Sequence, residues 1–131
     1  MSDTIERVTS ADAPPPAGHY SQAVAWNRLV FVSGQLGVRP DGTHATDAPF
    51  EVQARQAIHN VLAVLHTAGC GPEAILRVTA YIVGVDNWPE FNRIYASVLG
   101  DAKPARTVVP VPELHHGYLI EIDAVGLRGA N

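Results

Sequence analysis

Residues 50–65 carry the pattern that most restricts how this chain can fold. Phe50, Ala54, Ala57, Ile58, Val61, Leu62 and Leu65 recur at helical spacing, with Gln53, Arg55, Gln56 and Asn60 on the other side. The spacing predicts an amphipathic helix, which must lay its apolar stripe against a partner layer. Asp47 is a candidate N-cap, Pro49 suits the first turn, and Gly69 stops the helix. On both sides of this helix the hydrophobic period shortens to that of strands, so the partner layer is a sheet.

Before the helix, residues 21–26 alternate loosely and residues 28–33 (RLVFVS) are rich in β-branched and aromatic side chains. Asn27-Arg28 fits a tight hairpin turn between them. Residues 5–9 form a candidate edge strand. They are followed by ADAPPPAG, residues 11–18, whose three consecutive prolines make a stiff extended connector. Pro40-Asp41-Gly42 is a turn signal.

After the helix, Ile75–Val83 (ILRVTAYIV) reads as a strand. A second helix is expected from a cap at Asp86 to about Leu99, with Pro89 in its first turn, Gly100 at its end, and Phe91, Ile94, Tyr95 and Leu99 on one face. Two further strands are expected at residues 106–111, ended by Pro110 and Pro112, and 118–125, opened by His116-Gly117. The order β-β-β-α-β-α-β-β is an α+β pattern: a mixed sheet with two helices packed on one face. Two apolar stripes cover only one face, yet Val78, Ala80 and Ile82 alternate with Thr79, Tyr81 and Val83. The uncovered face is therefore half apolar, which predicts oligomerisation through the sheet.

Length and charge narrow the function. A chain of 131 residues has the size of one domain, expected to span residues 1–131 with 1–17 as N-terminal strand and connector. Nine Lys plus Arg against thirteen Asp plus Glu give a net charge of −4, and Lys103 is the only lysine. That balance lacks the basic stripe a nucleic-acid binder needs and argues against docking on anionic membranes. No apolar run approaches the roughly 20 residues of a membrane span, and the N-terminus shows no signal-peptide core. A cytoplasmic location is expected. Cys70 as the single cysteine excludes an internal disulfide and multi-cysteine zinc sites.

No metal or organic cofactor is expected. Gly34, Gly37 and Gly42 have the wrong spacing for a phosphate loop, and there is no Gly-x-Ser-x-Gly elbow. His59 and His66 share a helix side without a completing carboxylate. His115 and His116, as neighbours before a strand, are expected to point to opposite faces and to sit in solvent. Cys70 lies at a helix C-terminus, whose negative end raises a thiol pKa, so it is not a nucleophile candidate.

Two residues carry candidate chemistry. Arg106, in Pro104-Ala105-Arg106-Thr107, opens a strand where a guanidinium can grip a carboxylate through two parallel hydrogen bonds, or pair with a surface acid. Glu121, in Leu119-Ile120-Glu121-Ile122-Asp123, shares a strand face with Asp123 amid apolar residues. Buried without partners the two acids would be costly, so they face a polar pocket, an arginine or solvent.

Five ordered motifs now combine: Gly18-His19-Tyr20-Ser21-Gln22-Ala23, Phe31-Val32-Ser33-Gly34-Gln35, Asn92 with Tyr95, Pro104-Ala105-Arg106-Thr107 and Glu121-Ile122-Asp123-Ala124. Across residues 18–126 the chain resembles the Rid (YjgF-type) family of reactive-intermediate deaminases, also labelled endoribonuclease L-PSP, which hydrolyse imines and enamines to keto compounds and ammonia. The resemblance implies a chorismate-mutase-like fold and a homotrimer with a central barrel and clefts between subunits. It implies that Arg106 anchors the carboxylate of a 2-imino acid such as 2-iminopropionate and that Glu121 places the attacking water. It also implies that Tyr20, Ser33, Gly34, Asn92 and main-chain groups of Val108 line the pocket, with no cofactor. His19 stands where the family has proline, and Pro112-Glu113-Leu114-His115-His116-Gly117 departs from its usual stretch. A carboxylate-binding or chaperone-like trimer without turnover, and a deaminase for a pathway enamine such as an aminomuconate, are the alternatives. A ribonuclease fits the charge least.

Overall fold

In the computed structural model, which describes residues 4–129, the chain opens as a three-stranded meander: β1 (Ile5–Val8), β2 (Ala23–Trp26) and β3 (Leu29–Leu36). Then follow α1 (Phe50–Thr67), β4 (Ile75–Val83), α2 (Trp88–Leu99), β5 (Ala105–Val111) and β6 (Ile120–Leu127). Met1–Asp3 of the expected N-terminal segment lie outside the described residues. The six strands form one sheet in the order β1-β2-β3-β6-β4-β5. Only β4 and β5 run parallel, with α2 as the crossover that such a pair requires. Asn27 takes the left-handed conformation at the β2–β3 turn, φ 54°, which asparagine tolerates better than most residues.

One sheet face is the core. Val30, Val32, Val78, Ala80, Ile82 and Ile120 are buried there against Ala54, Ile58, Val61 and Leu65 of α1 and Phe91 and Ile94 of α2. Each fully buried large aliphatic or aromatic side chain contributes on the order of 1.5–3 kcal/mol. The other face keeps its apolar side chains in the open: Trp26 is 41% and Phe31 47% exposed. Register places Ile5 beside Trp26, Val24 beside Phe31 and Phe31 beside Val125, so these residues form one continuous surface. Among the described residues, no helix is long and apolar enough to cross a membrane.

Several local expectations are corrected. Pro49, not Asp47, occupies the N-cap of α1, with no side-chain capping bond. Asp86 lies in a short 3-10 turn, and Asn87 precedes α2, again without a capping bond from its side chain. The Asn87 amide instead donates to Val83 O at 2.9 Å, tying the turn back to β4. Pro110 sits inside β5 rather than ending it; β5 is a sheet edge, where a missing N–H is tolerated. His115–Gly117 forms a 3-10 turn, and β6 starts only at Ile120.

Gln53 and Asn60, expected on the polar side of α1, are fully buried. Gln53 Oε1 accepts from Leu119 N–H at 2.9 Å, and its amide donates to Thr46 O and Ala48 O at 3.3 and 3.0 Å. Asn60 donates to Leu36 O and Val38 O at 3.1 and 2.8 Å. Both amides satisfy buried backbone groups where the chain leaves β3 and enters β6, which no apolar side chain can do. They anchor the two strands that carry the candidate site.

Candidate functional site

A cavity of about 530 Å³ opens beside the junction of β3 and β6. Its floor is made by an irregularity in the β3–β6 pairing between Val32 and Gln35. Such a bulge frees residues from the ladder and re-aims them. Ser33 N–H bonds to Gln22 O at 2.9 Å, and its hydroxyl donates to Ser21 O at 2.6 Å. With its proton committed, the Ser33 hydroxyl meets a ligand as an acceptor. Gly34 is next to Glu121: a Cβ built on it falls 2.8 Å from Glu121 Oε2. Tyr20, half exposed, completes this group, so Tyr20, Ser33, Gly34 and Glu121 line one cavity. His19 beside Tyr20 is exposed.

The outer wall is the proline run Pro14, Pro15 and Pro16. Gln22, which is buried, holds it in place: its amide donates to Ser10 O at 3.1 Å and Pro14 O at 2.8 Å, and its Oε1 accepts from Ser10 N–H at 2.5 Å. The Gln of the Tyr-Ser-Gln-Ala motif is thus a clamp on the connector.

Burial, and then the neighbouring Asp123 charge, push the Glu121 carboxyl above the usual glutamate range, with His115 pulling the other way. Burial also raises Asp123, although the Thr79 hydroxyl and Arg77 partly stabilise its carboxylate. A half-buried glutamate of this kind holds or releases a proton closer to neutrality than a surface one.

Arg106 is elsewhere. It lies in register with Val78, on the helix-covered face, whereas Glu121 lies beside Tyr81, on the open face. One guanidinium nitrogen donates to Asn92 Oδ1 at 2.7 Å. Its carbon sits 5.1 Å from the Tyr95 ring centroid and 5.7 Å from that of Phe91. Among the described residues no carboxylate lies within ion-pair distance of Arg106. The surface-acid pairing open at the level of sequence is therefore absent there. The guanidinium is held on one flank and one edge, with other N–H groups unspent. Tyr95 is buried, its hydroxyl has no hydrogen-bond partner, and burial raises its pKa while Arg106 lowers it. Val108, two residues on, shares the Arg106 face on an edge strand, which leaves main-chain groups outside the sheet ladder.

The expected residues thus form two groups: Tyr20, Ser33, Gly34 and Glu121 at the cavity, and Asn92, Arg106 and Val108 on the β5–α2 edge. Strand parity keeps them on opposite faces of one chain.

A third group was not foreseen. His115 and His116 do not point apart: their ring centroids are 3.7 Å apart, and His44 lies 4.5 Å from His116. All three line the cavity. His116 is held at φ 62°, which turns its ring between the other two. His44 Nδ1 is 2.8 Å from the hydroxyl of buried Tyr118, which also accepts from Ala45 N–H at 3.1 Å. No spacing signal joins residues 44, 115, 116 and 118. Among the described residues no cluster of His, Cys, Asp or Glu is placed to hold a metal ion. His59 and His66 are exposed on α1. Cys70 is buried, and burial, not the helix end, is the main reason its thiol pKa is raised.

Comparison with known proteins agrees with this architecture. The family model described as Endoribonuclease L-PSP matches residues 10–127. A RutC family protein of Pyrococcus horikoshii is 32% identical over 123 residues, 94% of this chain and 98% of that one. The human 2-iminobutanoate/2-iminopropanoate deaminase is 35% identical over 130 residues, 98% of this chain and 95% of that one. The crystal structure of E. coli TdcF with bound serine superposes with a TM-score of 0.88 at 29% identity, covering 95% of this chain and 99% of that one. With its α+β sheet, its five motifs and a match over nearly its whole length, the chain belongs to the Endoribonuclease L-PSP (YjgF/Rid) family.

Proposed function

We propose that the protein is a deaminase that hydrolyses 2-imino acids, and their enamine tautomers, to 2-oxo acids and ammonia. The observation that carries this is the division of the site. A guanidinium without an acid partner and a glutamate of raised pKa lie on opposite faces of one chain, so a second copy has to supply the missing half. The open apolar sheet face around Trp26 and Phe31 offers the surface through which copies associate. A closed ring of three, as the family resemblance implies, gives three equivalent clefts.

The chemistry needs positioning more than activation. Arg106 of one copy binds the substrate carboxylate through two parallel hydrogen bonds, with Asn92 fixing its rotamer. Ser33 of the next copy accepts from the protonated imine nitrogen. Water adds to the imine carbon, a C–O bond forms, and the C=N π pair moves to nitrogen while Glu121 takes the water's proton. Glu121 returns that proton to the amine nitrogen; collapse of the carbinolamine then forms C=O and breaks C–N, and the hydroxyl proton passes to Glu121 and on to the departing ammonia, which leaves as ammonium. Holding carboxylate and water together makes the attack effectively intramolecular. Glu121 favours turnover over binding alone, since a carboxylate receptor needs only the arginine. The deaminase-named human relative and the serine-bound E. coli relative support a small amino-acid-derived substrate.

The test is complementation. Imines made by an amino-acid oxidase are trapped by semicarbazide, and enzyme activity lowers the semicarbazone signal. Arg106→Ala and Glu121→Gln are each expected to be folded and inactive. Refolded together at equal ratio they form random rings in which about one cleft in four joins an intact Arg106 to an intact Glu121. About a quarter of wild-type activity should return. No recovery from a mixed, folded oligomer would overturn the divided site, and wild-type inactivity on every imine would overturn the deaminase.

A further inference from the structure

The three histidines at the cavity are not used by that mechanism. Their construction is nonetheless specific. Tyr118 is fully buried; its hydroxyl accepts from Ala45 N–H and shares a hydrogen bond with His44 Nδ1 at 2.8 Å. The Tyr118 hydroxyl and the Ala45 main chain thus fix the orientation of the His44 ring at the cavity wall, with Nε2 on the ring edge away from Tyr118. His116 packs at a tilt against both His44 and His115 and holds a positive φ, 62°, which few residues other than glycine and asparagine adopt. Strain of this kind clusters at functional sites. All three histidines are exposed to solvent at the cavity rim, as expected for His115 and His116; desolvation, and then the proximity of His115 and His44, lower the His116 pKa and so favour its neutral form.

The rest of the cavity is mostly apolar. Pro14, Pro15, Pro16, Tyr20, Leu36 and Val38 present apolar or aromatic surface, and among the described residues no lysine or arginine lines the cavity and its one carboxylate is Glu121. From this chain a second carboxylate on the substrate would meet that glutamate and no lysine or arginine. At about 530 Å³ the space lies within the range of roughly 300–1,000 Å³ typical of small-molecule pockets, far more than a three-carbon imino acid fills.

We infer that His44, His115 and His116, facing Tyr20 and the proline run, form a side-chain subsite that selects 2-imino acids with a bulky, uncharged aromatic side chain. Flat imidazole and phenol faces offset-stack with such a ring. The inference rests on the deaminase reading for the word substrate, but not for binding.

The test measures both. Binding of 3-phenyl-2-oxopropanoate and of pyruvate, the corresponding product acids, is measured by calorimetry on the wild-type oligomer, His116→Gly and His116→Asn. Glycine and asparagine both adopt a positive φ readily, so these variants keep the turn. Wild type should prefer the aromatic acid at least tenfold, and both variants should lose most of that ratio. In parallel, the ratio of kcat/KM for the phenylalanine-derived over the alanine-derived imine should fall with it. A wild-type ratio below twofold, no binding of either acid, or an unchanged ratio in both variants would overturn the subsite. Selective binding with no hydrolysis of either imine would leave the subsite standing and overturn the deaminase.

Discussion

Replacing Gly34 with alanine puts a methyl group where the Glu121 carboxylate lies. The new Cβ would sit 2.8 Å from Oε2, 3.0 Å from Cδ and 3.2 Å from Cγ of Glu121. Ordinary contact begins near 3.4 Å, so the carboxylate has to retreat by about 0.6 Å. The obstacle is the far end of a flexible side chain rather than backbone, and Gly34 is not among the positive-φ glycines. The fold should therefore lose nothing, and the stiffer unfolded chain contributes about 0.4–1 kcal/mol of stability. Activity is a different matter. A misplacement of 1 Å at a reacting group can cost about a hundredfold, so a shift near half that distance predicts roughly a tenfold loss in kcat/KM. The semicarbazone assay and a thermal melt on the same preparation give both numbers. Activity within twofold of wild type, or a melt lowered by more than about 1 kcal/mol, would refute the reasoning.

Gly126→Ala presents the same geometry with the opposite outcome: its Cβ would lie 2.6 Å from Cys70 Sγ and 2.9 Å from Leu65 Cδ2, both buried. Overpacking there should cost about 1–3 kcal/mol in urea melts, and Cys70→Ala in the same chain should restore part of it. Gln22→Leu strips Ser10 N–H, Ser10 O and Pro14 O of their partner, and a loss of about 3 kcal/mol is expected; under 1 kcal/mol would show that water replaces it. Glu121 has a folded pKa raised by burial and by Asp123, so its stabilising contribution is full below the unfolded value, near 4.5, and lost as pH rises through the folded one. Glu121→Gln should accordingly stabilise the protein at pH 7 and not at pH 4; equal urea midpoints shifts at both pH values would contradict it. The same raised pKa places the acid limb of wild-type kcat/KM above the usual glutamate range.

Elements defined by period were legible. The α1 stripe and the Ile75–Val83 strand appear where spacing places them, because both depend on local pattern alone. What failed was chemistry that depends on neighbours. Asp47 and Asp86 have the right residue type for caps, but Pro49 and the turn before α2 take those positions. Pro110 looked like a strand end because a proline costs a ladder bond, and only the sheet order reveals that β5 is an edge. Gln53 and Asn60 read as solvent-facing amides, since no sequence period distinguishes a polar side chain that faces water from one that satisfies a buried carbonyl.

The sequence offers candidate site residues but not their arrangement. Arg106 and Glu121 are each singled out by the chemistry of their type and the motifs around them, yet whether they can meet depends on register. Arg106 beside Val78 and Glu121 beside Tyr81 differ by an odd step along β4, and an odd step reverses the face. On the proposed reaction, two residues separated by a sheet in this way cannot serve one substrate within one chain. The half-apolar face of Thr79, Tyr81 and Val83 had already predicted association through the sheet, on grounds of burial alone. The register and the proposed chemistry lead to the same expectation by separate routes: a second copy completes the site, and the mixed-oligomer complementation tests it.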